Sequence, residues 1–399
     1  MDTAVGTGNM NAAARSILLK ILAAASFLAL FQAYLVAPLI PALATDFNVA
    51  PALLGLMIPA YTIPYGLSTL VYGPLSDRLG RKPVLLTLLG MMVVATIALA
   101  FSPTAYIFLG IRVLTGLATG GIVPIAIALL GDLYTYEERG KPIGLLYGAM
   151  AGGMTFGSTL GACLNPLIGW RMEFIVTGIL GGMVFLAAVY FRRLFTNGRP
   201  LHSMPLKNII SASYQLLGST RGRPLYSYIF FNGMFHSGVF TWLGHYFSTR
   251  YHLGDEGIGL ALLGYGLPGM LLGVTIGKMA DRYGRRKLIL TGLLTGVITV
   301  AILVFKFPLW IAGTAVAFLS LGYDMTQPLF AGLVTGLGNH SGRGLAVGLS
   351  ASTLFLGYGT GALLFQFLLQ QGLNTALTAF VGLEFALFLG SFYFFKNAR

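Results

Sequence analysis

The sequence predicts an all-α integral membrane protein with twelve transmembrane helices in two pseudo-symmetric six-helix bundles. Three observations carry this prediction: a high apolar content, long uncharged segments that recur along the chain, and a second half that repeats the first. Of the 399 residues, 56% are hydrophobic and 9% are charged. Runs of about 18 or more apolar residues without charge indicate transmembrane helices, and such runs fill almost the whole chain.

The predicted spans are separated mostly by short connections. In chain order they are 17–43, 52–74, 83–101, 104–131, 142–165, 172–192, 225–249, 257–280, 287–305, 308–337, 342–370 and 374–395. The sequence ALATDF at the end of the first span is similar to a signal-peptidase site. Because the apolar stretch before it is too long for a signal peptide, we expect an uncleaved first span.

The net charge of +13 is explained by membrane topology. When both termini are placed in the cytoplasm, most Lys and Arg residues lie in cytoplasmic segments or at the cytoplasmic ends of spans. Cytoplasmic loops are enriched in these residues. We therefore expect a multi-pass protein of a bacterial inner (plasma) membrane with both termini inside, and no nucleic-acid partner.

The sequence offers no motif for metal or cofactor chemistry. Cys163 is the only cysteine, which excludes intramolecular disulfides and cysteine-based metal sites. The five histidines have no recognisable metal-ligand spacing, and no metalloprotease, hydrolase or nucleotide-binding motif is present. We expect no enzyme activity, no bound metal and no cofactor.

The second half of the chain repeats the first. Two charged decapeptides, GPLSDRLGRK at 73–82 and GKMADRYGRR at 277–286, lie 204 positions apart. The same offset relates Tyr61 and Tyr265, Pro64 and Pro268, Pro124 and Pro328, Arg139 and Arg343, and Phe27 and Phe231. An even number of spans in each half gives both halves the same orientation, as in many secondary transporters.

This repeat predicts three regions. They are an N-terminal six-helix half at 1–192, a cytoplasmic linker at 193–224 and a C-terminal six-helix half at 225–399. In the linker, PLKNIISASYQLLG has helical apolar spacing with basic neighbours. This pattern favours a helix that lies on the anionic cytoplasmic leaflet over a regulatory module.

The charged loops and two further motifs resemble those of a known family. GPLSDRLGRKPVLL, between spans two and three, resembles the signature loop of the major facilitator superfamily, and GKMADRYGRRKLIL is similar to a degenerate second copy. APLIPALATDF in span one and RVLTGLATGG in span four further resemble the twelve-span drug:proton antiporter branch. In the span-five motif of that branch, Ser158 stands where proline is expected and Ala162 replaces the last glycine.

The resemblance implies the major facilitator fold and secondary active transport by alternating access. It favours a proton-coupled exporter of drugs or metabolites, whose partners are protons, a small-molecule substrate and the lipid bilayer, and we expect a monomer. A proton-coupled importer or symporter of a sugar, an organic acid or a metal chelate is the alternative. A transporter-fold sensor is a candidate from a different class.

In this family, the aspartate of the signature loop is thought to bond with a residue of span eleven and to lock the two halves together on the cytoplasmic side. The resemblance implies this role for Asp77 with Arg343, and the pseudo-twofold axis pairs Asp281 with Arg139. The other gate residues implied are Gly73, Arg78, Gly80, Arg81, Asp132, Arg282 and Arg285. The alternative is that these charges only anchor span ends at the lipid headgroups.

Three side chains that carry a charge at neutral pH lie well away from the ends of their spans, where a charge is costly and function is the default hypothesis. Asp324 lies midway along span ten, where a carboxylate in apolar surroundings is suited to taking up and releasing a proton. Arg112 matches the arginine of the family's span-four motif, which is linked to proton handling. Glu384 lies in span twelve, which is peripheral in the family. A purely structural role is the alternative for each.

Polar residues in the spans also predict the lining of a substrate cavity. The offset of 204 maps Gln32 onto His236, in the two spans that face each other across the family's central cavity. The other candidates are Tyr34, Tyr61, Tyr228, Asn232, Tyr265, Tyr323 and Gln327. The alternative is that these groups only form hydrogen bonds between packed helices.

Overall fold

The computed structural model describes residues 12–134, 138, 140–195, 206–334, 336–337 and 343–396. Within these residues every regular element is helical, as predicted. The first half contains α1 (Ala12–Leu35), a 3-10 turn (Ala37–Leu39), α2 (Ile40–Asp46), α3 (Pro51–Gly55), α4 (Met57–Leu79), α5 (Arg81–Ala100), α6 (Ala105–Thr119), α7 (Ile122–Leu133) and α8 (Gly140–Tyr190).

The rest of the chain continues the same architecture. It contains α9 (Leu206–Gly218), α10 (Gly222–Tyr251), α11 (Asp255–Leu262), α12 (Leu267–Tyr283), α13 (Arg285–Val304), α14 (Leu309–Val334), α15 (Arg343–Leu369) and α16 (Leu373–Phe394). We refer to α1–α8 as the first half and to α10–α16 as the second half. Their bounds follow the predicted spans closely.

Nine segments of the described chain are long and apolar enough to cross a membrane. One of them, Lys141–Tyr190, has 50 residues and contains two helices, because Gly169 has a φ of 75° that interrupts the helical backbone. Helices α10 and α14 have 30 and 26 residues and are not among these nine segments. They are long enough to span a membrane, but polar residues such as His236 and Asp324 lower their hydropathy below that of the nine. With these included, the fold is consistent with the predicted twelve spans.

The two charged loops share one backbone geometry. Gly80, between α4 and α5, has φ 93° and ψ 139°, and Gly284, between α12 and α13, has φ 89° and ψ 140°. A positive φ of this kind is strained for any residue with a Cβ atom. The loops therefore need glycine at this position, and the repeat of 204 positions extends to the backbone.

In the first half, α1 and α8 approach each other through glycines. A Cβ atom at Gly153 or Gly157 of α8 would lie 2.3 Å from the backbone oxygen of Phe27 or Phe31, respectively. Such a distance is far inside van der Waals contact, so these positions require glycine. Small residues that let backbones approach closely are the usual way in which membrane helices pack.

The second half repeats this contact between α10 and α15. A Cβ atom at Gly357 would lie 2.3 Å from the backbone oxygen of Phe230, and one at Gly361 would lie 2.0 Å from that of Met234. The glycines follow their first-half counterparts by 204 positions, but the α10 residues follow theirs by 203. Helix α10 is therefore shifted by one residue relative to the offset in the rest of the chain.

This shift corrects the pairing that the sequence suggested for spans one and seven. In the observed register, His236 of α10 corresponds to Ala33 of α1, and Gln32 corresponds to Phe235. One residue turns a helix by about 100°. Gln32 and His236 consequently point in different directions within their halves and are not symmetry-related.

The two halves pack against each other along two seams. On one seam, α4 lies along α15, where a Cβ atom at Gly66 would be 3.0 Å from the backbone oxygen of Ser352 and one at Gly359 would be 2.4 Å from Ile63. On the other seam, α8 packs against α11 and the start of α12. We call the end of the bundle with the α4–α5 loop the Asp77 end, and the opposite end, with the α1–α4 connection and Asn165, the Asn165 end.

Candidate functional site

A buried polar cluster lies inside the first half and is centred on Arg112. The guanidinium carbon lies 4.5 Å from the centre of the Tyr61 ring. Nη1 donates to the backbone oxygen of Gln32 at 3.2 Å, and Nε donates to that of Met57 at 3.4 Å. Arg112 is fully buried, and none of its described partners is a carboxylate. Cation–π attraction and carbonyl dipoles therefore hold this charge in the membrane.

The other polar groups of this cluster form hydrogen bonds to partners within the first half. The Tyr61 hydroxyl donates to the backbone oxygen of Ala29 at 2.9 Å and accepts from Thr119 at 2.8 Å. Thr96 donates to Oε1 of Gln32 at 2.7 Å. Tyr61 and Gln32 are each 1% exposed. In this conformation these two cavity candidates lie in the interior of the first half.

A second group of polar residues lies where the two halves meet. We call it the tyrosine–Asp324 cluster, and its members are Tyr34, Tyr265, Tyr323, Asp324 and Tyr358. The hydroxyls of Tyr323 and Tyr358 share a short hydrogen bond, and Tyr34 lies close enough to interact with both. The cluster thus joins α1 of the first half to α14 and α15 of the second.

Asp324 is anchored by one hydroxyl group. Ser320 Oγ lies 3.3 Å from Oδ2 of Asp324 and accepts a 2.9 Å hydrogen bond from the backbone N–H of Gly266. A Cβ atom at Gly269 would lie 2.5 Å from Oδ1 of Asp324, so glycine there leaves room for the carboxylate between α12 and α14. Asp324 is only partly buried.

His236 adjoins this cluster from α10. Its ring packs edge-on against Tyr323, with centroids 5.1 Å apart. It is 1% exposed, and neither ring nitrogen has a hydrogen-bond partner among the described residues. Nearby, Asn232 accepts a 3.4 Å hydrogen bond from Thr326. Gln327 is 8% exposed on the same helix as Asp324.

Two candidates lie apart from this junction. Tyr228 donates a 2.9 Å hydrogen bond to the backbone oxygen of Leu387 in α16. Glu384 is fully buried beside Gly296 of α13, and its carboxylate oxygens have no partner within the described chain. Both side chains lie inside the helix bundle of the second half.

At the Asp77 end, Arg81 joins two acidic residues of its own half. It forms an ion pair with Asp132 of α7, and its Nη2 lies 3.5 Å from Oδ1 of Asp77. It also donates to the backbone oxygen of Ala128 at 2.6 Å. This arrangement brings together three of the gate residues that the sequence suggested.

The other gate residues are placed less completely. Gly73 lies within α4, Arg78 is exposed near its end, and Arg282 and Arg285 flank the α12–α13 loop. Arg139 and the side chains of Asp281 and Arg343 lie outside the described part of the chain. The pairs Asp77–Arg343 and Asp281–Arg139 therefore stay predictions.

Sequence reasoning did not select Tyr358, Ser320 or Tyr147. Tyr358 lies within the sequence LGYGTG of α15, and glycines on both sides of an intramembrane tyrosine indicate close approach by neighbouring helices. This signal could have identified it. Ser320 and Tyr147 carry no comparable signal, because their importance depends on the rotation of α14 and α8.

Two bundles of long apolar helices with buried polar side chains at their junction are the architecture of a multi-pass membrane protein. The model of the Major Facilitator Superfamily matches residues 22–275 and 247–399 of the chain. The chain therefore belongs to the Major Facilitator Superfamily, and it is a transporter of that family.

The chain is 28% identical over 360 residues to a protein of Bacillus subtilis (strain 168) described as the uncharacterized MFS-type transporter YceJ, covering 89% of this chain and 90% of that protein. It is 31% identical over 156 residues to a chloramphenicol resistance protein of Pseudomonas aeruginosa, covering 39% of this chain and 37% of that protein. Several other MFS-type relatives match over between 52% and 64% of their own length.

A crystal structure of a D-xylose-proton symporter has the same fold. The TM-score is 0.78, and the superposition covers 95% of this chain and 98% of that chain at 16% sequence identity. At this identity, the likeness establishes the fold alone.

Proposed function

We propose that this protein is a proton-coupled exporter of small organic solutes. The observation that carries the proposal is Asp324, a carboxylate inside the membrane span α14 at the junction of the two halves, with Ser320 as its hydrogen-bond partner. An intramembrane acid at this position is suited to taking up a proton on one side and releasing it on the other. Export is supported by the match to a chloramphenicol resistance protein.

Alternating access requires that the halves move against each other around a central site. We propose that 1–192 and 225–399 are the moving units and that 193–224 links them. The seams between them are lined by glycine contacts such as Gly66 with Ser352 and Gly359 with Ile63, which involve few polar bonds. Asp77 with Arg343 and Asp281 with Arg139 would close the Asp77 end in the other conformation.

The proposed setting is a monomer in a bacterial inner membrane, with both termini and the Asp77 end in the cytoplasm. The placement of Lys and Arg residues supports this orientation. In it, an inward proton gradient supplies the free energy for export. Arg112 is proposed to assist by holding α1, α4 and α6 in register around Gln32 and Tyr61.

The test is transport in proteoliposomes with an imposed pH gradient and a panel that includes chloramphenicol and D-xylose as probes. We expect a panel member to move against its gradient in exchange for protons, with Asp324→Asn abolishing uphill transport. Downhill exchange of labelled for unlabelled probe should persist in Asp324→Asn, because it needs no net proton movement. Glu173→Gln, which removes a buried carboxylate of α8 outside the cluster, is the matched control and should remain coupled.

Uphill transport by Asp324→Asn at the wild-type rate would contradict the coupling role. If a probe instead accumulated in the same direction as the protons, the protein would be a symporter and not an exporter.

A further inference from the structure

We infer that the first half binds one anionic phospholipid in a groove on its outer, membrane-facing surface. An acyl chain lies along α5 in this groove, and the phosphate lies among Lys82, Arg192 and Arg193 at the Asp77 end. The inference is independent of the proposed transport function. It follows from the shape of the groove, from the charges at one end of it and from a comparison with the second half.

The groove lies between α5, α6 and the last turns of α8, and we call it the α5 groove. It has a volume of about 740 Å³ and an almost entirely apolar lining. On α5 the lining extends from Leu86 to Ala98, which corresponds to about 18 Å along the helix axis. One leaflet supplies about half of a hydrocarbon core that is about 30 Å thick. The α5 groove therefore has the length of one acyl chain.

The α5 groove opens toward the surrounding bilayer and not toward the junction of the halves. Val94 on its α5 wall and Leu114 on its α6 wall are 70% and 53% exposed. All of its lining residues belong to the first half, and none is a member of the tyrosine–Asp324 cluster. A lipid in this groove is therefore distinct from a transported substrate.

Gly90 of α5 keeps the groove open. A Cβ atom there would lie 3.5 Å from Cε2 of Phe185, which is an ordinary van der Waals contact, so the packing of α5 on α8 does not require glycine at this position. Gly90 lines the groove, and a long side chain there would occupy part of the space that the acyl chain fills.

The second half has larger side chains at the equivalent positions of α13. The offset of 204 replaces each small lining residue of α5 by a larger one: Gly90 by Leu294, Ala95 by Thr299 and Ala98 by Ile302. Both halves have the same fold, so the repeated architecture does not by itself require an open groove. The α5 groove is a property of the first half.

The packing of α5 against α8 determines which charges lie at the end of the groove. The two helices are antiparallel, and a Cβ atom at Gly178 would lie 2.3 Å from Cγ1 of Ile97. Gly90 faces Phe185 in the same register. When this register is continued for about two turns toward the Asp77 end, Lys82 lies level with Arg193.

The three cations continue the faces that line the groove. Lys82 lies one helical turn before Leu86, on the same face of α5. The backbone N–H of Arg192 donates to the oxygen of Val189 at 3.2 Å, and in such a 3-10 turn side chains three positions apart are eclipsed. Arg192 and Arg193 are exposed.

These cations are available to a ligand. None of the three forms an ion pair with a residue that the structure describes. Asp77 of α4 and Asp132 of α7 pair with Arg81 instead. Basic pockets between transmembrane helices bind anionic lipid headgroups, so the charged end of the α5 groove complements the phosphate while the apolar part holds the chain.

A second copy of the chain complements this surface less well. In a symmetric dimer the same surface patch of both copies forms the interface. The cations of the two copies would then meet at the same depth in the membrane, where their repulsion opposes association. An anionic lipid brings the opposite charge to the same place.

The experiment is native mass spectrometry of the purified full-length protein in detergent, titrated with phosphatidylglycerol. Phosphatidylcholine with the same acyl chains tests the headgroup charge, and inorganic phosphate tests whether an anion without a chain is sufficient. We expect one phosphatidylglycerol to bind saturably and at least about tenfold more tightly than phosphatidylcholine. Inorganic phosphate should not compete with it.

One pair of variants tests the charged end. Lys82→Gln combined with Arg192→Gln should weaken the binding of phosphatidylglycerol about tenfold or more. The matched control is Arg286→Gln combined with Lys396→Gln, which removes two charges at the equivalent positions of the second half. The control should bind the lipid as the wild type does.

A second pair tests the apolar part of the groove. Gly90→Leu introduces the side chain that the second half has at this position and should weaken binding about tenfold, because the added methyl and methylene groups displace the acyl chain. Gly90→Ala should bind within about twofold of the wild type. Thermal unfolding of each variant shows whether it is folded.

Three results would overturn the lipid site. They are equal affinities for the two phospholipids, competition by inorganic phosphate, and unchanged binding by folded Gly90→Leu or by the folded Lys82→Gln and Arg192→Gln double variant. The same spectra report the oligomeric state. A dimer that Gly90→Leu dissociates would assign the groove to a second copy of the chain and would also overturn the inference.

Discussion

The side-chain amide of Asn165 donates a 2.7 Å hydrogen bond to Oδ2 of Asp255. Asn165 belongs to α8 in the first half and Asp255 begins α11 in the second, so this bond joins the halves at the Asn165 end. At the Asp77 end, Arg81 instead binds Asp77 and Asp132 of its own half. The described polar contacts thus tie the halves together at the Asn165 end.

We expect that loss of this bond makes the Asn165 end open more often. A hydrogen bond to a charged group contributes about 1.5–3 kcal/mol, so Asn165→Ala should raise the population of the open form about tenfold or more. Cys163, the only cysteine of the chain, is a native reporter, since a Cβ atom at Gly259 of α11 would lie 2.5 Å from its Sγ. The measurement is the rate at which maleimide labels Cys163, which should rise in the variant.

Asp46→Ala is the control for this experiment. Asp46 binds Arg171 at 2.7 Å at the same end of the molecule, but both residues belong to the first half. Its loss should leave the labelling of Cys163 unchanged. Equal acceleration in both variants would mean that Asn165 and Asp255 are ordinary surface contacts rather than a tie between halves.

At the other end, cysteines at Asp77 and Arg343 in a Cys163→Ser background should crosslink mainly when the Asp77 end is closed. The reason is that these residues belong to different halves, and the proposed gate brings them together only in that conformation. The measurement is the disulfide yield of this double-cysteine protein with Asn165 retained and with Asn165→Ala added. The added substitution should increase the yield.

Cysteines at Asp77 and Asp132 provide the reference pair, because both residues bind Arg81 within one half. Their crosslinking should be insensitive to Asn165→Ala. If the pair at Asp77 and Arg343 also gave the same yield with and without that substitution, the gate would not depend on conformation.

The packing of α10 depends on glycines of α15, and substitution there should be costly. In Gly361→Ala the new Cβ atom would lie 2.0 Å from the backbone oxygen of Met234, and overpacking of this kind costs about 1–3 kcal/mol. Thermal unfolding of the purified protein should therefore begin at a lower temperature. Gly313→Ala in α14 introduces a Cβ with no neighbour within 4 Å and should unfold like the wild type, which isolates the contact from any general effect of the added methyl group.

These contacts also indicate what the sequence could predict. Apolar runs placed the spans correctly because membrane thickness dictates their length, and the cost of a buried charge selected Asp324. The one-residue shift of α10 was not predictable from the sequence. It is visible only in the structure, where the backbone oxygens of Phe230 and Met234 face the glycines of α15. The rotation of each helix about its axis likewise decides that Tyr358 reaches Tyr323, and no pattern in a uniformly apolar span encodes it.

Helix α9, which lies between the two halves in the chain, carries an exposed apolar stripe. Ile210, Tyr214 and Leu217 are 51%, 73% and 37% exposed and are spaced to lie on one helix face. Arg221 and Arg223 follow and are exposed. A helix with one apolar face and basic neighbours binds an anionic membrane surface.

We therefore expect an environment-sensitive dye on Tyr214→Cys, in the Cys163→Ser background, to shift its emission to shorter wavelength in vesicles that contain anionic lipid. The same dye on Gln215→Cys, which lies about 100° around the helix from Tyr214, should shift much less. Equal shifts at both positions would contradict a helix that lies on the membrane with its apolar face toward the lipid.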